Sequence, residues 1–254
     1  MSQIWLTGDT HGDWMSRLNM AAFPEQKEMT KDDYVIVLGD FGIWDNSKIE
    51  NYNLDWLDSR NFSTLFVSGN HSNYDILNNL PVEEWNGGKV NFIRDSVIHL
   101  KRGEIFEIQG KKFFAFGGAS SHDIQDGILD PDDFDDYDEF RKTWKQWDEE
   151  SRMFRVKNIT WWPDELPSEE EMENGIKNLE KHDWKVDYIL SHSPSASVIA
   201  LLGHGLYEQD VLTRYLEEIR CKTEYKRMMS GHMHINKAVN DKDILLYEQI
   251  VRVV

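Results

Sequence analysis

Hydrophobic residues in the first seventy positions form short runs, and a polar cluster follows each run. The runs at 34–38 and 64–67 are rich in β-branched residues, and the run at 4–7 has a similar character. Such short apolar runs are typical of strands buried on both faces. The unit of strand, polar loop and helical pattern recurs along this part of the chain. It predicts a parallel α/β sheet whose loops gather at the carboxyl ends of the strands.

Two helices are predicted in this region because apolar residues recur at spacings of three and four. Their apolar faces comprise Trp14, Leu18, Ala21 and Ala22 in the first helix, and Ile49, Tyr52, Trp56 and Leu57 in the second. From residue 89 to residue 117 the pattern changes to short apolar runs, and Gln109-Gly110 between two of them predicts a hairpin. Further strand-like runs at 185–190, 225–229 and 244–253 predict a second sheet.

Five polar clusters lie where hydrophobic runs end, and they contain the residue types that bind metal ions. They are Asp9-Thr10-His11-Gly12, Gly39-Asp40, Gly69-Asn70-His71, His192 and Gly231-His232-Met233-His234. A single cluster of this kind commonly caps a helix or forms a turn, whereas five together predict a metal site. The oxygen and nitrogen donors are Asp9, His11, Asp40, Asn70, His192, His232 and His234. If each of two ions takes four protein ligands, one carboxylate must bridge, and Asp40 is the natural bridge.

The set and order of these clusters resemble the calcineurin-like metallophosphoesterases. Their pattern runs Asp-x-His, Gly-Asp, Gly-Asn-His, His and Gly-His-x-His along nearly the whole catalytic domain. The resemblance implies a four-layer α/β/β/α sandwich of two mixed β-sheets flanked by helices, with the metal site at the C-terminal edge of the sheets. It places Asp9, His11 and His234 on one ion, Asn70, His192 and His232 on the other, and Asp40 between them. The residues alone leave open that Asp9 and His11 serve only in a turn.

The resemblance implies hydrolysis of a phosphodiester or a phosphomonoester by a hydroxide that bridges two divalent metal ions. Because no cysteine belongs to the cluster, the donor set favours Mn, Fe or Zn over metals that prefer thiolates. The resemblance also implies that His71 is catalytic and protonates the leaving alkoxide or stabilises its charge. Such a reaction needs no Ser or Cys nucleophile, so we predict that Cys221 is inert.

The chain departs from the protein-phosphatase branch of that family. That branch carries Gly-Asp-x-x-Asp-Arg-Gly and Gly-Asn-His-Glu, whereas residues 39–45 read GDFGIWD and residues 69–72 read GNHS. The Asp that orients the catalytic His and the Arg that grips phosphate are therefore missing from their usual places. Their loss argues against a phosphoprotein substrate and favours diesters slightly. Arg152 or Arg155 could replace the missing Arg.

With 254 residues and 40% hydrophobic content, the chain can bury the core of one large domain. Because the proposed ligands run from Asp9 to His234, we predict a single domain over residues 1–254. An acidic and aromatic insertion is predicted at about residues 119–168. Within it Tyr137, Phe140, Trp144 and Trp147 form a helical stripe, which packing against the body explains better than a lid or a partner-binding face. Ser168 and Glu171 match a capping box for the next helix.

Several other polar residues receive no role in the predicted site. Residues 120–123, SSHD, follow an apparent strand and could reach the site, but we interpret them as a simple loop. No ligand role is assigned to His99, His122, His182 or His204.

The formal net charge of −18 argues against a nucleic-acid partner and against nuclease action, which would benefit from a basic groove. A small phosphoester remains compatible with this charge because bound cations set the field within a cleft. The single cysteine, the absence of a signal-peptide pattern and the lack of a long apolar segment predict a cytoplasmic protein with no membrane partner. A protein partner or an oligomer is not assigned. The alternative to an enzyme is a catalytically silent metal-bound scaffold or protein-binding module, and the retained ligands favour the enzyme.

Overall fold

The computed structural model of the chain describes residues 3–203 and 208–254. The strands are β1 (Ile4–Thr7), β2 (Tyr34–Val37), β3 (Ser63–Phe66), β4 (Glu83–Trp85), β5 (Gly88–Arg94), β6 (Val97–Leu100), β7 (Glu104–Ile108), β8 (Lys111–Phe116), β9 (Gly127–Leu129), β10 (Phe154–Val156), β11 (Tyr188–Ser191), β12 (Arg227–Ser230), β13 (Lys237–Ala238), β14 (Asp243–Leu245) and β15 (Val251–Arg252). The helices are α1 (Trp14–Arg17), α2 (Lys48–Asp58), α3 (Tyr74–Asn79), α4 (Tyr137–Glu149), α5 (Glu169–Lys181), α6 (Ala196–Gly203) and α7 (Val211–Lys222). Among the described residues, no helix combines the length and the apolar character needed to cross a membrane.

Most of the strands belong to two large mixed sheets. Sheet A has the strand order β15-β1-β2-β3-β6-β5-β4, and sheet B has the order β13-β14-β12-β11-β8-β7. The inner strands β1, β2, β3 and β6 of sheet A are parallel, as are β8, β11, β12 and β14 of sheet B. The antiparallel pairings join β15 to β1, β5 to β6, β7 to β8 and β13 to β14, and they also join β4 to β5.

Neighbouring residues of one strand face different layers of the molecule. In β2, Ile36 belongs to an apolar cluster shared by both sheets, whereas Val35 and Val37 pack with residues of α1 and α2. In β8, Phe113 belongs to the shared cluster, and Phe114 packs with residues of α5 and α7. Because both faces of each sheet are covered, the inner strands are apolar on both sides. The predicted α/β/β/α sandwich is confirmed.

Two local sequence predictions are confirmed by backbone geometry. Gln109 and Gly110 connect β7 to β8 with φ of +53° and +67°, the left-handed pair that a two-residue hairpin turn of type I′ requires. At the start of α5, Ser168 Oγ accepts from Glu171 N, and the Glu171 carboxylate accepts from Ser168 N. This is the predicted capping box.

The first predicted helix is wrong in its extent, because it ends at Arg17 rather than continuing to Ala22. The side chain of Asn19 competes with the helix: its Nδ2 donates to Met15 O, and its Oδ1 accepts from Ala21 N and Ala22 N. Such local side-chain bonds offer the backbone an alternative to the helical ladder. Ala21 and Ala22 are therefore exposed turn residues.

The second predicted helix is present, and of its predicted face Leu57 is buried and Trp56 partly buried, whereas the other two residues are not. Ile49 and Tyr52 are 75% and 67% exposed, while Leu54 is buried. Glu50 also turns inward, because its carboxylate accepts from the backbone N–H groups of residues 44–46. These bonds place Glu50 on the inner face of the helix. The spacing of apolar residues does not predict the position of a buried polar residue.

Segment 119–168, the predicted insertion, contains a small apolar cluster of its own. Strands β9 and β10 pair in parallel, and Leu129 and Val156 from them bury Phe140 of α4. Trp144 and Trp147 pack partly against the same cluster. The aromatic stripe thus packs as predicted, but its partners lie within the segment rather than in the sandwich. Tyr137, at the start of the stripe, is 65% exposed.

Candidate metal centre and active site

The predicted ligands lie at the carboxyl ends of parallel strands from both sheets. In sheet A, Asp9 follows β1, Asp40 follows β2 and Asn70 follows β3. In sheet B, His192 follows β11 and His232 follows β12. A backbone bond from Gly118 N to Ser68 O joins the two edges here, and within sheet B Gly231 N donates to His192 O. Side chains that are far apart in sequence therefore meet at one edge of the sandwich.

The structure brings together the three residues predicted for one ion. Asp9, His11 and His234 each place a ligand atom within 4.8 Å of the other two. His234 Nε2 lies 3.1 Å from His11 Nε2 and 3.1 Å from Asp9 Oδ2. Three donors at this spacing can contact one cation.

The residues predicted for the other ion converge only in part. Asp9, Asp40 and His192 form a second group with ligand atoms within 4.8 Å, and His192 Nε2 lies 3.4 Å from Asp40 Oδ2. Asn70 Oδ1 lies 3.1 Å from the same His192 nitrogen. The His232 ring centroid lies 4.9 Å from that of His192, and its Nε2 lies 3.0 Å from His122 Nε2. Asp9 belongs to both groups, so the bridging role of Asp40 stays a prediction.

Two glycines of the sequence clusters make room for these ligands. Gly39 has φ of +90°, and a Cβ atom on it would lie 2.1 Å from His192 Nδ1. A Cβ atom on Gly231 would lie 2.4 Å from Asp9 Oδ1. A glycine before Asp40 and before His232 is therefore required sterically, which gives the Gly-Asp and Gly-His pairs a physical basis.

Four of the predicted ligands have a left-handed backbone, which residues with a side chain rarely adopt. The φ values are +46° at His11, +42° at Asp40, +64° at His232 and +48° at His234. Backbone donors also point at the carboxylates, since His232 N donates to Asp9 Oδ1 and His71 N donates to Asp40 Oδ1, each at 2.9 Å. Unusual backbone conformations of this kind cluster at functional sites.

The electrostatics of the site favour ionised carboxylates. Burial alone would raise the pKa of Asp9 and of Asp40, but the adjacent His192 charge and several hydrogen bonds lower both pKa values below their ordinary range. Burial opposes protonation of His192, yet the charges of Asp40 and Asp9 raise its pKa to about 9. Burial and the neighbouring His192 charge lower the pKa of His232 to about 3. Two ionised carboxylates, Asp9 and Asp40, thus lie beside a protonated His192. A metal cation could take the place of the His192 proton.

Two further observations support binding of divalent cations by these residues. Within residues 3–203 and 208–254, Asp9 Oδ2 is buried without a hydrogen bond of acceptable geometry, although two imidazoles lie beside it. His192 Nδ1 donates to Leu38 O at 2.8 Å. The other ring nitrogen, Nε2, lies beside Asp40 and Asn70 and is the atom that could bind a cation. Ligating histidines are commonly oriented by a carbonyl in this way. A buried carboxylate oxygen that lacks a well-aligned donor is costly unless a cation satisfies it.

His71, the predicted catalytic residue, lies at the rim of the centre beside Arg155. Its ring centroid is 5.7 Å from that of His11, and Arg155 Nη2 lies 3.5 Å from His71 Nε2. Asp123 forms an ion pair with Arg155. Burial lowers the pKa of His71, Asp40 opposes that effect and Arg155 adds to it. Of the two arginines that could replace the missing phosphate ligand, Arg155 reaches the site, whereas Arg152 pairs with Glu150.

Residues 120–123, interpreted above as a simple loop, contact the centre. Ser121 Oγ lies 3.4 Å from Asn70 Nδ2 and donates to Glu165 Oε2 at 2.7 Å. This chain of contacts fixes the Asn70 amide with its oxygen toward His192. His122 adds the contact with His232. The sequence could have predicted this contact, because the loop follows β8 and therefore lies at the same sheet edge as His192.

The remaining candidates have other environments. His99 is buried in the sandwich, with Nδ1 3.0 Å from Asn91 Oδ1, and His182 caps the C-terminus of α5. Cys221 is exposed on α7, and its Sγ contacts Glu217. His204 lies outside the described residues.

A family model for calcineurin-like phosphoesterases matches residues 2–236. The chain belongs to this family. It is therefore a metallophosphoesterase in general type, a hydrolase of phosphoester bonds.

Solved structures of low sequence identity are also similar to the chain. One is the phosphopantetheinyl hydrolase PptH from Mycobacterium tuberculosis, with 17% identity, 97% of this chain and 88% of that chain covered, and a TM-score of 0.41. Another is a putative 5′-nucleotidase from Staphylococcus aureus in complex with alpha-ketoglutarate, with 14% identity, 96% of this chain and 48% of that chain covered, and a TM-score of 0.44. The chain thus spans about half the length of the second protein. A search of curated proteins finds no match.

Proposed function

We propose that this metallophosphoesterase hydrolyses a small phosphoester with two divalent ions held by Asp9, His11, Asp40, Asn70, His192, His232 and His234. One observation carries the proposal: ligand atoms from both sheets converge on Asp9, whose buried Oδ2 lies 3.1 Å from His234 Nε2 but has no well-aligned hydrogen bond among the described residues. A carboxylate in that state is suited to a cation. When bound, the ions would lower the pKa of a water molecule and would neutralise charge on the phosphoryl oxygens.

The chain's own residues would orient the substrate and handle the leaving group. His71 lies at the rim, where its ring can donate a hydrogen bond or a proton to the departing alkoxide oxygen. Arg155 can bind a phosphoryl oxygen through its guanidinium if it shifts from its ion pair with Asp123. The half-buried position of Arg155 beside His71 supports this role. The arginine thus gives the site a group for the second charge of a monoester, which weakens the preference for diesters.

The decisive experiment is metal reconstitution of metal-free protein. The protein is reloaded separately with Mn²⁺, Zn²⁺ and Mg²⁺, and each form is assayed on 4-nitrophenyl phosphate and bis(4-nitrophenyl) phosphate. We expect turnover that depends on the added metal and two ions per chain by elemental analysis. Uptake of two ions with no turnover on either ester would favour the silent scaffold, and no uptake would reject the metal site.

A further inference from the structure

Beside the metal site, the catalytic rim opens into a pocket that shares His11 with the proposed metal ligands. The pocket has a volume of about 290 Å³, and its wall includes His11 and His71 together with Trp44, Arg155, Ile159 and Trp162. This size is near the lower end of small-molecule sites, roughly 300–1,000 Å³. It suits one ring system rather than a large ligand.

One wall of the pocket is the partly exposed indole of Trp44, whose backbone and ring nitrogen are both hydrogen-bonded. The Trp44 side chain is 45% exposed, although its Nε1 donates to His71 O at 3.1 Å. Its backbone is fixed on both sides, since Trp44 N donates to Glu50 and Trp44 O accepts from Asn73 Nδ2. An exposed aromatic face that is anchored in this way loses little conformational freedom when a ligand covers it.

Another part of the wall comes from the end of segment 119–168. Ile159 is 43% exposed, whereas Trp162 is buried and donates from Nε1 to Asp75 Oδ2 at 2.8 Å. The turn that carries Ile159 is closed by bonds from Thr160 N and Trp161 N to Val156 O. Both parts of the wall are therefore built from anchored backbone.

We propose that this pocket binds an aromatic group on the leaving alcohol of the substrate. The proposal rests on the proposed function, because His71 is the group placed to meet the leaving oxygen and it lines the same pocket. Apolar side chains next to that oxygen would receive the rest of the alcohol. Trp44, His11 and His71 present ring faces or edges, and aromatic pairs gain free energy beyond the area they bury. A flat ring should therefore bind better than a puckered ring of the same size.

The test compares esters whose leaving oxygens have similar reactivity: 2-phenylethyl, 2-cyclohexylethyl and ethyl phosphates, as monoesters or methyl diesters. We expect kcat/KM about tenfold higher for phenylethyl than for ethyl, with cyclohexylethyl between them. Ile159→Ala should reduce the phenylethyl-to-ethyl ratio about threefold, and Trp44→Ala should reduce it further. Val82→Ala, at a residue 53% exposed outside the pocket, should leave the ratio unchanged. Equal kcat/KM values for phenylethyl and ethyl esters, or equal losses for both esters in the variants, would overturn the pocket.

A binding measurement separates failure of the pocket from failure of the enzyme. The dissociation constants of 2-phenylethylphosphonate and ethylphosphonate, which resist hydrolysis, are measured by calorimetry on wild type and on Ile159→Ala. Tighter binding of the phenylethyl compound that is reduced by Ile159→Ala supports the pocket even if no ester is hydrolysed, and that result would reject the proposed function alone. Equal binding of both phosphonates overturns the pocket whatever the turnover.

Discussion

The edge of the sandwich and segment 119–168 contribute to the site in different ways. The sandwich supplies Asp9, Asp40 and His192, which are almost fully buried and bonded to backbone groups. The segment supplies Arg155 and Asp123, which are partly exposed and held mainly by each other. Groups fixed by backbone bonds are preorganised, whereas a surface ion pair is easily rearranged. From this difference we propose that the sandwich supplies the groups for the reaction and that the segment helps to select the substrate.

Loss of a sandwich carboxylate should have the largest effect. Asp40→Asn removes a charge from a centre where two buried carboxylates lie beside His192, so metal affinity and activity should both fall. We expect kcat/KM to fall on the order of 10³-fold or more. Activity on the chromogenic esters and metal content by elemental analysis are measured together. Asp95→Asn, at an exposed position, is the control, and undiminished activity of Asp40→Asn would refute the bridging role.

Removal of His71 should separate catalysis from metal binding. The His71 side chain lies at the rim, and the bond from its backbone N–H to Asp40 is kept in His71→Ala, so this variant should lower kcat about 100-fold while the protein keeps its metal ions. Steady-state kinetics and metal analysis of the same preparation test this expectation. His182→Ala, at the end of α5, is the matched control. Loss of metal from the His71 variant would show that His71 is a ligand instead.

Variation of the segment should alter substrate preference more than chemistry. Arg155→Ala is expected to lower kcat/KM about tenfold for the monoester and less for the diester, because a dianion benefits more from a guanidinium. Arg152→Ala, which removes an arginine paired with Glu150, serves as the control. The ratio of monoester to diester kcat/KM is the relevant measurement. A uniform decrease for both esters would mean that Arg155 acts mainly by supporting the fold.

The smallest effect should come from a histidine of the sandwich that takes no part in the site. Burial, with the nearby charges of Lys101 and Arg102, lowers the pKa of His99 to about 3. Because this folded-state pKa lies below the unfolded value near 6.5, the unfolded chain binds a proton first as the pH falls. Its contribution to stability is therefore complete above pH 6.5 and declines toward pH 3, by about 1.4 kcal/mol per pH unit.

Urea unfolding of wild type and His99→Gln at pH 7.0 and pH 5.5 measures this decline. The wild type should lose more free energy of unfolding than the variant between the two pH values. Parallel decreases in both proteins would show that His99 is accessible to protons in the fold.

The convergence of the site was predictable from sequence, whereas the details of its rim were not. Strand periodicity placed Asp9, Asp40 and His192 at strand ends, and parallel strands bring such ends together. The end of α1 depended on the Asn19 side chain, and the face of α2 depended on Glu50 binding a loop. Both depend on hydrogen bonds between a side chain and the backbone, and the spacing of apolar residues does not predict such bonds.

The segment was still less predictable. The positions of His122 and Arg155 depend on how the whole segment folds back over the sandwich, and no local pattern specifies that path. The mutual contact of His122 and His232 was not predicted for the same reason. Tertiary contacts of this kind become visible only in the folded chain.

The left-handed backbone at His11, Asp40, His232 and His234 lowers the stability of the fold at residues that the proposed activity requires. Each such residue destabilises the native state by roughly 1–3 kcal/mol, which glycine in the same place would largely relieve. Selection for heat resistance alone would therefore remove the ligands one after another and leave a sturdier, inactive sandwich. With four such residues in one small region, the backbone strain of the native state is concentrated at the proposed metal centre itself.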